Sequence, residues 1–188
     1  MESYAIWNNK GGTGKSTITF HIASRFAELH PDRKVLVIDM CPQANSSMLL
    51  LGGGILGETE LLGLCSLATP KSVVGYLSDA ILNRHVPKLS DYSIQASTIN
   101  DKISPNLFIL SGDGNLELMA PAISDEASRT PFPGLADPWE WVHKIFKRLT
   151  DSLDPSEWTI FFDTNPSFAI YTELAICGAT RILVPVNA

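Results

Sequence analysis

Lys10-Gly11-Gly12-Thr13-Gly14-Lys15-Ser16-Thr17 is the stretch that decides the fold. It follows Tyr4-Ala5-Ile6-Trp7-Asn8, a short apolar run that meets glycine at once, and it precedes Ile18, Ile22, Phe26 and Leu29 at near-helical spacing. Strand, glycine loop and helix in that order are the context a phosphate-binding loop requires. The glycines let backbone N–H groups turn inward around phosphate oxygens, and the positive end of the helix adds to the attraction. Lys15 would neutralise β- and γ-phosphate charge, Ser16 would place a hydroxyl on Mg2+, and Thr17 is near enough to reach the α-phosphate.

Outward from the loop, His30-Pro31 stops the first helix, because the residue before proline disfavours the α region. Val35-Leu36-Val37-Ile38 then reads as a buried strand ending at Asp39, which completes a βαβ unit. Leu107 to Leu110, Trp158 to Phe162 (ending at Asp163) and Ile182 to Val186 are expected strands. Helices are expected over 72–82, from Ser167 to Cys177, and around Leu116, Met119, Ala120 and Ile123, with an interruption near Pro121. Asp137-Pro138-Trp139-Glu140 combines a capping Asp, a first-turn proline and a Glu that can reach back to the cap. It heads a helix with the buried stripe Trp141, Ile145, Leu149 and Leu153. Gly52-Gly53-Gly54 and scattered polar residues break periodicity between Cys41 and Asn106, and 124–136 reads as a loop. The fold class is α/β, a parallel sheet with helices on both faces.

The 188 residues suffice for one such domain and are short for two. With 45% apolar and 18% charged residues, disordered and fibrous classes are excluded. A net charge of −6 means that any polyanion must be met through a local basic patch. The clustered basic residues His143, Lys144, Lys147 and Arg148 are read as a solvated helix face in preference to a polyanion contact. Cys41, Cys65 and Cys177 are too scattered for a disulfide framework or a C-x-x-C pair. No leader and no membrane-length apolar run is evident, so a cytoplasmic protein without a membrane segment is expected.

Asn9 stands where an ordinary phosphate loop has its first glycine, and Lys10 is an additional lysine. In this the loop resembles the deviant Walker A ATPases of the partition ParA and division-site MinD type. Asp39-Met40-Cys41-Pro42-Gln43-Ala44-Asn45 is similar to that family's D-x-D-P-Q-x-N switch, and Phe161-Phe162-Asp163-Thr164-Asn165-Pro166-Ser167 to its hhhDTPPS segment. Leu107-Phe108-Ile109-Leu110-Ser111-Gly112-Asp113 is similar to its strand and G-D turn. The resemblance implies a P-loop NTPase-like domain over 1–188 that binds ATP and Mg2+ and hydrolyses ATP slowly in plasmid or chromosome partition. Lys10 would cross to the partner's nucleotide in an ATP-dependent homodimer. A centromere-binding partner protein, nonspecific DNA and association with the nucleoid are implied as well. Gly11, Gly12, Thr13, Gly14, Lys15, Ser16 and Thr17 would hold the nucleotide. Asp163, with Asp39 assisting, would hold the Mg2+, since acids at the carboxyl ends of parallel strands face the ligand crevice.

Three departures qualify these expectations. Cys41 replaces the acid that in the family orients the attacking water, and a thiol of ordinary pKa is a poor substitute, so binding should survive better than hydrolysis. Asn165 replaces the first proline of D-T-P-P and either bonds a γ-phosphate or a water, or fills a turn. The sequence stops before the family's adenine pocket and DNA-binding surface, so a domain lacking its C-terminal part is expected. A nucleotide-locked scaffold without hydrolysis, or a metabolic enzyme of amidoligase or reductase type, are the alternative functions.

Overall fold

The computed structural model describes residues 2–134 and 136–186. The strands are β1 (Glu2–Ile6), β2 (Lys34–Met40), β3 (Ile94–Gln95), β4 (Leu107–Leu110), β5 (Trp158–Thr164) and β6 (Arg181–Leu183). The helices are α1 (Lys15–Leu29), α2 (Asn45–Leu50), α3 (Gly54–Cys65), α4 (Val73–Asn83), α5 (Leu89–Tyr92), α6 (Asn115–Ala127), α7 (Pro138–His143), α8 (Ile145–Ser152) and α9 (Ile170–Gly178). The strands form one sheet in the order β3-β4-β2-β5-β1-β6, parallel except for β3, which runs antiparallel to β4.

Side chains alternate across each strand, so the sheet buries two apolar faces. Leu36, Ile38 and Met40 of β2 join Phe162, Tyr76 and Phe146 on one face, under α4 and α6–α9. Val35 and Val37 join Phe161, Ala23, Ala27 and Leu50 on the other, under α1 and α2. Tyr76 stacks on Phe146, and Phe146 meets Phe162 edge-on, with centroids 5.8 and 5.7 Å apart. β6 differs from its neighbours: it pairs only with β1 and leaves Ile182 and Leu183 exposed on opposite faces.

Some elements depart from the sequence expectation for identifiable reasons. α3 was not expected because its apolar residues follow no single stripe, and only Gly57 is buried. α6 runs through Pro121, which lies with Glu117 on the exposed side of the helix, where water can meet the group that the missing N–H leaves free. The helix therefore extends to Ala127, into the stretch expected to be loop; Leu135 of that stretch lies outside the described residues. The helix begun at Asp137 breaks at Lys144, where side chains take carbonyls from the helical ladder. The Arg148 guanidinium donates to the Trp141 carbonyl at 2.8 Å, and His143 Nδ1 lies 2.9 Å from the Trp139 carbonyl. The cap at Asp137 is as read, accepting from the Glu140 N–H at 3.1 Å.

Gly75 lets α4 approach the 66–72 loop, because a Cβ there would lie 2.1 Å from the Pro70 carbonyl oxygen. Helix propensity alone makes Gly75→Ala stabilising by about 1 kcal/mol. Overpacking against backbone reverses the sign, and a net loss of about 1–3 kcal/mol in urea unfolding is expected.

Candidate functional site

Between the end of β1 and the start of α1, residues 7–14 form the loop whose shape the glycines permit. Gly12 and Gly14 have φ of 73° and 77°, and a Cβ on Gly12 would meet nothing, so the requirement there is conformational rather than steric. The Lys10 N–H donates to Asn8 Oδ1 at 2.8 Å, and Asn8 Nδ2 donates to the Pro185 carbonyl at 2.7 Å, which ties the loop to the β6 end. The two lysines have opposite settings. Lys15 is 6% exposed, and its Nζ donates to the Lys10 carbonyl at 3.1 Å. The Lys10 side chain is exposed. Burial lowers the pKa of Lys15, opposed by the nearby Asp163.

The loop forms the floor of an open cleft of about 900 Å³. Cys41, Gln43 and Asn45 line one wall, Thr164, Asn165 and Pro166 another, and Ile55 and Glu58 of α3 the rim. This puts Gly11, Gly12, Thr13, Gly14, Lys15, Ser16, Thr17, Cys41 and Asn165 around one cavity.

Asp39 and Asp163 stand in register on adjacent strands, both 0% exposed. Asp39 spends both oxygens on the loop that follows it: Oδ1 accepts from the Cys41 N–H at 3.0 Å, and Oδ2 from Ser47 N–H and Oγ–H at 3.0 and 2.7 Å. Both oxygens of Asp39 are thus committed within the ligand-free fold, which gives it an anchoring role beside the share in Mg2+ binding expected of it. Ser47 Oγ also accepts the Gly112 N–H at 2.9 Å, so one hydroxyl joins the β2 and β4 ends. Asp163 Oδ1 accepts from Thr19 Oγ at 3.3 Å, whereas Oδ2 is buried without a partner. Burial, then the charge of Asp39, pushes the Asp163 carboxyl up to about 7. Burial raises the pKa of Asp39 too, against the donors from Ser47 and Cys41.

Cys41 is 4% exposed, and burial together with the Asp39 charge pushes its thiol up to about 12. It is a neutral thiol at physiological pH and holds no lone-pair base comparable to a carboxylate. Asn165 donates through Nδ2 to Tyr171 Oη at 3.2 Å, which fixes its side chain at the cleft wall. The basic helix face is internally neutralised: Lys144 pairs with Glu140 at 2.6 Å, Lys147 pairs with Asp151, and Arg148 lies over Trp141 at 4.3 Å. His143 is buried beside Glu173. Thr19, Ser46, Ser47 and Gly112 were missed in the sequence, because hydroxyls on helices and a glycine after a strand carry no signal until the strands bring them together.

The oxygen left bare on Asp163 suits a cation, and the donors suit a particular kind. Among the described residues no group of three or more His, Cys, Asp or Glu could form a metal site. One carboxylate with the Ser16 hydroxyl fits a hard ion that keeps water and phosphate oxygens, as Mg2+ does, and does not fit zinc.

A glycine loop leading from a parallel strand into a helix, with acids ending the two strands beside it, defines a P-loop NTPase fold. The chain belongs to the AAA_31 family (AAA domain), whose model matches residues 1–188. Solved structures of the same fold include cobyrinic acid a,c-diamide synthase from Mycobacterium smegmatis with bound ADP and magnesium (20% identity, TM-score 0.67, covering 99% of this chain and 60% of that one). A McdA variant in complex with ATP from Cyanothece matches at 19% identity and TM-score 0.64, over 98% of this chain and 56% of that one. A putative plasmid partition protein from Borrelia burgdorferi B31 bound to AMPPNP matches at 19% and 0.60, over 98% and 62%. The chain thus spans less than two thirds of the length of these proteins. The resemblance to ParA/MinD-type P-loop ATPases agrees with these comparisons.

A carboxyl whose folded pKa lies near 7, above its unfolded value near 3.9, favours the fold while protonated. That contribution is complete below about pH 4 and lost as pH rises through about 7. Asp163→Asn, which cannot ionise, is expected to gain on the parent in stability between pH 4 and pH 8 in ligand-free urea unfolding; parallel pH profiles would contradict this.

Proposed function

We propose that this chain is a ParA-like partition ATPase, an ATP- and Mg2+-binding subunit whose ATP-bound form pairs with a second copy in plasmid or chromosome segregation. The observation that carries the reading is the pair of lysines in one loop, Lys15 buried and lining the cleft and Lys10 exposed to solvent. The neighbours crystallised with ATP, AMPPNP, ADP or magnesium support the ligands.

Each residue then has a task. Backbone N–H groups of residues 11–16 bind phosphate oxygens, and Lys15 offsets their charge. The Ser16 hydroxyl and Asp163, through water, would hold Mg2+, which when bound neutralises charge across the β- and γ-phosphates. Asp39 and Ser47 keep the 41–47 loop in place against the cleft. Cys41, neutral and nearly dry, takes no proton from a water, which favours long retention of ATP over turnover. Lys10 reaches the nucleotide of a partner copy. A centromere-binding protein would stimulate turnover, and nonspecific DNA with nucleoid association would use surfaces other than the paired α7–α8 face. Exposed Ile182 and Leu183 on β6 support a sheet edge that another surface covers.

A second reading rests on the likeness to cobyrinic acid a,c-diamide synthase, since one fold hosts several chemistries. An ATPase assay separates the two. Turnover stimulated by DNA and a partner favours partition, and turnover that needs a small carboxylate substrate favours the enzyme.

Lys15→Ala is expected to abolish binding of a non-hydrolysable ATP analogue in calorimetry. Lys10→Ala should bind it within a few-fold of the parent, about 1 kcal/mol or less, yet lose ATP-dependent dimerisation in sedimentation. An unchanged dimer fraction would sink the crossing-lysine assignment. Cys41→Asp should raise kcat by about 10²- to 10⁴-fold with little change in affinity, because a water-positioning group acts in the transition state. Equal rates would make Cys41 a packing residue of the switch.

A further inference from the structure

Two oxygens at the carboxyl ends of β2 and β5 have no hydrogen-bond partner although both are fully buried: Asp163 Oδ2 and Ser46 Oγ. The neighbouring Asp39 and Ser47 are committed. Asp39 accepts three bonds from Cys41 and Ser47, and Ser47 Oγ accepts a further one from the Gly112 N–H. Ser46 is the residue between the cleft wall at Asn45 and the anchor at Ser47, and its side chain is turned inward beside the acids. Its hydroxyl lies near both carboxyls without a hydrogen bond to either. A buried hydroxyl in this position, aligned with neither acid and capable of both donating and accepting, is placed for a guest.

We propose that Ser46 is a further residue of the cation site, its hydroxyl and the free oxygen of Asp163 together holding water of the Mg2+ hydration shell. This rests on the nucleotide reading of the cleft and names a residue that reading does not use. Mg2+ gives up its waters reluctantly, so groups that hold and orient those waters contribute to its affinity without touching the ion. Ser46 is accordingly a positioning residue. The placement also explains why a serine unable to satisfy itself in the ligand-free fold is kept at a fully buried position.

The test compares the parent with Ser46→Ala and Ser46→Thr. Thermal melting is measured without ligand, and AMPPNP affinity is measured by calorimetry in EDTA and across a Mg2+ titration. Removing a hydroxyl that bonds nothing should leave the ligand-free melting temperature of Ser46→Ala at or above that of the parent. Affinity in EDTA should be unchanged within about twofold, while the Mg2+ concentration for half-maximal enhancement should rise about tenfold. Ser46→Thr, which keeps the hydroxyl, should stay near the parent's Mg2+ requirement. A Ser46→Ala protein that melts lower yet needs no more Mg2+ would overturn the proposal and make the hydroxyl structural. An equal Mg2+ requirement in all three proteins would overturn it too, leaving the nucleotide reading intact. A parent that does not bind AMPPNP at all would overturn that reading and this inference with it.

Discussion

The parallel register of β2 and β5 brings Asp39 and Asp163 side by side where no water reaches, and the arrangement of the cleft follows from that concentration of negative charge. Two buried carboxylates cannot both ionise freely without compensation. The chain answers asymmetrically. Asp39 is given three donors and becomes an anchor, whereas Asp163 is given one hydroxyl and left with a bare oxygen. Lys15, close enough for its ammonium to feel Asp163, supplies the nearest positive charge. The same proximity that makes the ligand-free site costly makes it receptive to a cation.

The anchoring of Asp39 has mechanical consequences beyond the cleft. Ser47 ties the loop after β2 to Gly112 at the β4 end, where a Cβ would lie 2.9 Å from the Cys41 carbonyl oxygen. From there Asp113 Oδ2 accepts from Ser72 Oγ at 2.8 Å, and Ser72 caps α4. A contiguous chain of hydrogen bonds therefore runs from the cleft wall to the start of α4. α3 lies between, entered through Gly52, Gly53 and Gly54, all at positive φ. The segment is held by packing as well as by its turn: a Cβ on Gly57 would lie 2.3 Å from the Met48 carbonyl oxygen, and the Gly53 N–H donates to that carbonyl at 2.8 Å.

Much of this was readable from sequence because the signals were local. The glycine loop, the strand ends at Asp39 and Asp163 and the cap at Asp137 each depend on residues within one turn or strand. What escaped was set by packing between distant segments. α3 fully buries only Gly57 and packs Leu61 and Leu64 partly against the core, while Ile55, Leu56 and Leu62 are exposed, so its apolar residues form no single stripe. Pro121 is tolerated because it faces outward, a fact that periodicity in so short a helix cannot supply. Asp39 was read as a metal acid by its position at a strand end, and only Ser47, eight residues later and on a short helix, shows where its oxygens go. The basic run at 143–148, read as a solvated helix face, has Lys144 and Lys147 in exposed ion pairs and Arg148 over Trp141, with only His143 turned inward.

Cys41 joins these lines of reasoning. A carboxylate in its place would be a third acid against Asp39 and Asp163 at a position that is 4% exposed, and the burial and charge that push the thiol to about 12 would act on it in the same sense. A thiol relieves the ligand-free fold of that charge while still filling the wall of the cleft. On the proposed reading the gain in stability and the loss of a water-orienting group come from the same substitution, a trade of the kind found where active sites are strained. The loop, Lys15 and Asp163 remain equipped to hold a nucleotide through its ground state. On that same proposed reading, with no acid beside Gln43 and Asn45 on that wall, the step most affected would be hydrolysis, and the bound state the one prolonged.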